Sequence, residues 1–165
     1  MTNLVLLPYG LLGKIYRSPM PNADFDINKT TMSEFVQSNI NTVVMLNSKA
    51  EAQIYAGNIL IPAYENLDMN TIYFPIKDFD TPESQVGFID ILNSIIEIGE
   101  KGGNVAVHCF AGLGRTGTVL AILARKILGM NGPSAIDWVR NFVPNAIQTS
   151  TQVNYVIKFP IEKLA

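Results

Sequence analysis

The chain carries one cysteine and one histidine, and they are neighbours, His108 and Cys109. Five loop residues follow, with glycines at 112 and 114, and then Arg115. The thiolate, not the thiol, is the nucleophile, so the surroundings of Cys109 decide what it can do. Gly112 and Gly114 let successive backbone N–H groups converge, and a helix starting near Arg115 would add the positive end of its dipole. The guanidinium offers a planar fork that matches phosphate oxygens. Residues Phe110, Ala111, Gly112, Leu113, Gly114 and Arg115 thus read as a cradle for an oxyanion with a nucleophile at its base, a setting that favours the thiolate at neutral pH. A lone cysteine is more often a buried structural residue. The glycines, the strand before the loop and the helix after it weigh against that here.

Such a loop needs a strand to carry Cys109 and a helix to receive Arg115. Short β-branched or apolar runs at 42–46, 71–76 and 104–107, with a weaker one at 14–16, have the length and composition of buried strands. A helix is expected from Thr81 as N-cap, with Pro82 in its first position, to Gly99, placing Phe88, Ile91, Leu92 and Ile95 on one face. A second should run from near Arg115 to Gly129, a third from Pro133 through Trp138 and Arg140, and a fourth from Thr149 to just before Pro160. Strand alternating with helix predicts an α/β fold: a central, mostly parallel sheet of four or five strands flanked by helices on both faces. Ligands in such sheets sit beyond the carboxyl ends of the strands, where the 104–107 strand delivers Cys109. Neither a repeat nor a Pro/Gly/Ser-rich linker divides the chain, so residues 1–165 are expected to form a single domain.

Composition narrows the function classes. With 165 residues, 48% of them hydrophobic, the chain can bury one substantial core. A formal charge of −2 argues against a nucleic-acid partner, which calls for a basic face. No run approaches the roughly 20 apolar residues of a membrane span, and the opening residues lack the basic start and cleavage site of a signal peptide. A soluble cytoplasmic protein is expected, with export by a route that leaves no readable signal still open. One cysteine and one histidine supply neither an internal disulfide nor a zinc cluster, so no metal and no cofactor is expected.

The segment HCFAGLGRTG resembles the His-Cys-x-x-Gly-x-x-Arg-Ser/Thr signature of the cysteine-dependent protein tyrosine and dual-specificity phosphatases. The chain is most similar to their compact dual-specificity-like members, weakly throughout and well over residues 72–155. The resemblance implies that fold and a metal-independent hydrolysis of phosphomonoesters through a phosphocysteine. Its substrate would be a phosphorylated protein, with phosphotyrosine preferred, or a small phosphate ester. It implies that Thr116 hydrogen-bonds the sulfur. Because the clamp already supplies activation, His108 is expected to face the core and shape the loop, with direct catalysis as the alternative. FPIKDFDTP is similar to the family's acid loop, in which an aspartate follows Pro-x-x and precedes a proline by four residues. That spacing makes Asp78 the general acid, with Asp80 the alternative, since a helix start attracts acidic residues for structural reasons. The loop lacks the tryptophan that many relatives carry.

PNAIQTSTQ, residues 144–152, is similar to the family's glutamine loop, where Gln148 would place the hydrolytic water and Gln152 support it; Thr149 and Gln152 can at the same time form a capping box. Val143 stands where many relatives have arginine. IYRSPMP is similar to a segment that lies near the active-site loop in several small members, but Arg17 reads equally well as a structural ion-pair partner. Phe110 and Leu113 occupy positions where relatives that prefer inositol phosphates tend to carry lysine, and an apolar rim suits an aryl phosphate. Alternatives stay open: a phosphoinositide or other small-phosphate phosphatase, or an inactive phosphotyrosine-binding module on the same scaffold. Sulfurtransferases and arsenate reductases also bind oxyanions in cysteine loops, although arsenate reductases of that kind need further cysteines.

Overall fold

The computed structural model describes residues 2–165. Five strands make one sheet: β1 (Val5–Leu7), β2 (Ile15–Ser18), β3 (Thr42–Met45), β4 (Asn70–Tyr73) and β5 (Val105–His108), in the order β1-β2-β5-β3-β4. β2, β5, β3 and β4 run parallel, and only β1 is antiparallel, on the edge beside β2. The register aligns Ser18, His108 and Met45 side by side, so three strands end together next to Cys109.

Residues of β3 and β5 are buried throughout, as expected of central parallel strands covered on both faces. Their side chains alternate between two cores. Val44, Val105 and Val107 join Phe88, Leu92, Ile95 and Leu120 in the larger core. Val43, Met45 and Ala106 join Met20, Phe35, Leu60 and Tyr64 in the smaller one. Each large side chain taken from water in these layers stabilises the fold by roughly 1.5–3 kcal/mol before ordering costs.

The larger core lies under α4 (Gln85–Glu100), α5 (Gly114–Ile127), α6 (Gly132–Phe142) and α7 (Ser150–Lys158). The smaller is closed by α1 (Thr31–Gln37), α2 (Lys49–Ala56) and α3 (Ile61–Asn66). Every residue of α5 from Gly114 to Ala124 is buried, so this helix forms the centre of its layer and its position is fixed by packing on several sides. Among the described residues no helix is long and apolar enough to cross a membrane.

Several elements differ from the expected ones. α4 begins three residues later than expected: Ser84, not Thr81, is the N-cap, its Oγ accepting from Gly87 N at 3.1 Å. Thr81 N donates instead to the Asp80 carboxylate at 2.8 Å, which keeps residues 80–83 in a loop. β4 ends at Tyr73 rather than 76; Pro75 has no N–H to donate, although Phe74 N and Ile76 N still bond Met45 O and Leu46 O. β1 and the three helices of the smaller layer have no counterpart among the expected elements.

Candidate active site

The loop from Cys109 to Leu113 joins β5 to α5 at the carboxyl edge of the sheet. α2, α4, α6 and α7 are each capped by a side chain at the N-terminus, from Ser48, Ser84, Asn131 and Thr149. α5 is not: Leu113 stands at its N-cap and can offer no acceptor. Among the described residues, the N–H groups of 110–115 donate to no protein acceptor. A helix start left uncapped beside a loop of unpaired N–H groups is an anion-binding environment.

Cys109 is 3% exposed, and the Thr116 hydroxyl donates to its Sγ at 3.1 Å. Arg115, 1% exposed, is clamped from two sides. Nη1 donates to Glu51 Oε2 at 3.0 Å and to Ile76 O at 2.9 Å, and Nη2 to Glu51 Oε1 at 3.0 Å. Nη2 also lies 3.1 Å from Asp78 Oδ1. Nε is buried and has no partner among the described residues. A buried guanidinium N–H left unpaired is costly unless an acceptor arrives, and the Nε–Nη2 edge, which carries that N–H and which Asp78 reaches only at Nη2, is the edge such an acceptor would use.

Burial disfavours the charged guanidinium, but the hydrogen bonds and charge of Glu51, with the nearby Cys109 and Asp78, more than offset this and hold its pKa above the ordinary value. Burial likewise pushes the Glu51 carboxyl up, while the bonds from Arg115 and from Ser48 N pull it below its usual range.

His108 is fully buried. Its Nδ1 lies 3.0 Å from Cys109 O and its Nε2 2.7 Å from the Tyr64 hydroxyl. A carbonyl can only accept, so Nδ1 carries the proton and Tyr64 donates to Nε2. Burial lowers the His108 pKa to about 4, and the Arg115 charge adds to that. The imidazole is therefore neutral, and its place is beneath the loop.

Asp78 and Asp80 face different ways. Asp78 reaches Arg115 and lines a cleft of about 270 Å³ together with Cys109, Phe110, Ala111, Phe25, Phe79 and Gln148. The Asp80 carboxylate bonds Thr81 N, and its carbonyl accepts from Gln152 Nε2 at 3.3 Å. Gln152 is buried and closes a capping box with Thr149, its Oε1 also accepting from Gln148 N at 2.9 Å. Gln148 itself opens to the cleft.

Two expectations change. Leu113 does not join Phe110 on the rim; its side chain packs against the larger core. Among the described residues Arg17 makes no ion pair: all three of its guanidinium nitrogens donate to backbone carbonyls, those of Asn3, Ala111 and Gly112. Residues with no expected role also line the site or, like Tyr64, support it from beneath. Glu51 had a readable signal, the Ser-x-x-Glu box at 48–51 that starts α2, but nothing local tells that its carboxylate meets an arginine 64 residues away. Tyr64, Phe25 and Phe79 carry no signal of that kind.

Residues 22–127 match the family model described as "Polymorphic toxin system, DSP-PTPase phosphatase". Among curated proteins, the chain is 31% identical over 130 residues to the dual specificity protein phosphatase CDC14C of Symphalangus syndactylus, covering 79% of this chain and 24% of that protein. The chain thus spans about a quarter of the length of such relatives. Among solved structures, Tk-PTP in its active form is 29% identical, with a TM-score of 0.75 over 92% of this chain and 94% of that one. A kinase associated phosphatase whose catalytic-site cysteine is replaced by serine shares the fold, at 22% identity and a TM-score of 0.84 over 97% of this chain and 94% of the other. The family match takes in the cysteine loop, the arginine that closes it and the acid loop, and by that match the chain belongs to the DSP-PTPase phosphatase family of polymorphic toxin systems.

Proposed function

We propose that the chain, acting as one domain, hydrolyses phosphomonoesters through a phosphocysteine on Cys109 and prefers phosphotyrosine. The observation that carries this reading is the cleft in which Cys109, Asp78 and Gln148 share one space walled by Phe25, Phe79 and Phe110. Phe110 packs between Phe25, at 5.3 Å between ring centroids, and Tyr55, at 4.5 Å, so the apolar wall continues outward from the nucleophile. An aromatic wall suits a phenyl ring better than an inositol, whose hydroxyls need polar partners.

In the first step the Cys109 thiolate attacks phosphorus in line with the ester oxygen. The sulfur–phosphorus bond forms as the phosphorus–oxygen bond breaks, and Asp78 gives its proton to the departing oxygen. The unpaired N–H groups of the loop and the Nε–Nη2 edge of Arg115 hold the non-bridging oxygens. A phosphate at Arg115 competes with Asp78 for Nη2 and so releases the carboxyl towards the leaving group. In the second step a water placed by Gln148 loses a proton to Asp78 and attacks phosphorus. The sulfur leaves as a thiolate stabilised by the Thr116 hydroxyl, and inorganic phosphate is freed. Nothing in this sequence calls for a metal or a cofactor.

Hydrolysis of p-nitrophenyl phosphate with a metal chelator present tests the reading. Wild type should turn over, Cys109→Ser should be inactive, and Asp78→Ala should lose about a hundredfold in kcat. An inert wild type that still binds phosphotyrosine peptides would replace the enzyme with a binding module.

A further inference from the structure

Arg17 lies at the end of β2, beside the cysteine loop, and its contacts are unusual for an arginine. Nη2 donates to Ala111 O at 2.6 Å, Nε to Gly112 O at 2.9 Å and Nη1 to Asn3 O at 3.1 Å. Just beyond it, Met20 N donates to Phe110 O at 2.9 Å. The end of β2 and the segment that follows it thus hold three successive carbonyls of the loop, those of residues 110, 111 and 112.

In a planar trans peptide the carbonyl and the following N–H point in opposite directions. Holding these three carbonyls towards Arg17 and Met20 turns the N–H groups of Ala111, Gly112 and Leu113 the other way, and those are among the groups left without a protein acceptor. Gly112 makes the approach possible. It has a φ of 74°, and a Cβ there would run into Ser18 O and would come 2.7 Å from Arg17 Nε. The fork is itself held firmly, because Asn3 is buried and its side chain bonds Asp26, Ile27 O and Thr30.

We propose that Arg17 is a positioning residue which, with Met20 N, sets the orientation of three oxyanion-binding amides in the loop without touching the substrate. The inference rests on the phosphatase reading of the same site. It also explains why an arginine is used: a planar guanidinium spans two adjacent carbonyls and a third acceptor in one geometry, which an ammonium group on a flexible stem does not. Its burial, which lowers its pKa, is partly offset by the nearby Cys109 sulfur, so a second cation adds to the field at the nucleophile.

The test compares wild type with Arg17→Ala and Arg17→Lys by thermal melting, p-nitrophenyl phosphate kinetics and affinity for tungstate, a phosphate-like oxyanion. The folded Arg17→Ala protein should lose about 10- to 100-fold in kcat/KM and in tungstate affinity together, since the same amides serve both. Low concentrations of guanidinium should restore part of the loss, and Arg17→Lys should fall between. A folded Arg17→Ala protein within about twofold of wild type in both readouts overturns the inference and leaves the phosphatase reading intact. A wild type that neither binds tungstate nor hydrolyses the ester overturns both. If Arg17→Ala does not fold, amide NMR of wild type decides: tungstate should shift the N–H signals of Ala111, Gly112 and Leu113, and unmoved signals refute the proposal.

Discussion

At the scale of single residues, the site is a set of charges and dipoles each satisfied by one specific neighbour. Arg115 leaves only Nε without a partner among the described residues, His108 is held neutral between Tyr64 and Cys109 O, and the Thr116 hydroxyl donates to the sulfur. The histidine makes stability depend on pH. It stays unprotonated in the fold down to about pH 4, whereas in the unfolded chain it binds a proton near its ordinary pKa of about 6.5. Between those values the unfolded state holds the extra proton, so the histidine's contribution to stability falls as pH drops from about 6.5 to about 4 and is constant below. The loss amounts to about 3 kcal/mol. Urea titrations of wild type and His108→Gln at several pH values check this: the wild-type midpoint should fall over that window, and the variant should lose that part of the dependence. An unchanged slope in the variant would show that other groups carry the effect. The residues of the loop and Asp78 were legible because their chemistry is written in consecutive positions. Of the two readings of Arg17, nearness to the active-site loop agrees with the structure and the ion pair does not, because a backbone carbonyl partner leaves no mark in a sequence.

At the scale of elements, legibility followed burial and capping. β3, β5, α5 and α7 are densely apolar or begin with clear caps, and they lie within a few residues of where the pattern puts them. α1 is a short helix that buries only Thr31 and Phe35, and α2 buries only Ala52, so they show little helical periodicity to find. β1 is three residues long, too short to show an alternating pattern, and is fixed by pairing with β2 and by Leu7 in the larger core. The start of α4 turned on two rival caps. Because Ser84 makes the capping bond and Thr81 does not, Ser84→Ala should cost about 1 kcal/mol of stability. Thr81→Ala should stay within about 0.5 kcal/mol. Chemical denaturation of the two variants distinguishes them, and the reverse ranking would return the helix start to Thr81.

At the scale of the whole molecule, the sheet order puts β5 at the centre, between β2 and β3, and each neighbour brings a different service to its carboxyl end. β2 delivers Arg17, which holds the loop from outside. β3 leads into α2, whose Glu51 clamps Arg115 from the other side. β4 leads into the loop of Asp78 and Phe79, which Thr149 and Gln152 of the α7 start tie down through the carbonyls of Phe79 and Asp80. The parallel α/β class was readable from alternation, but this convergence was not, because it depends on which strands become neighbours. The most direct measurement is rapid acid quench of the protein mixed with p-nitrophenyl phosphate, followed by peptide mass spectrometry. A phosphoryl group on the Cys109 peptide, formed and lost at rates consistent with turnover and absent in Cys109→Ser, is the expected result. Steady release of phosphate with no adduct on Cys109, or continued turnover by Cys109→Ser, would contradict nucleophilic catalysis by this cysteine.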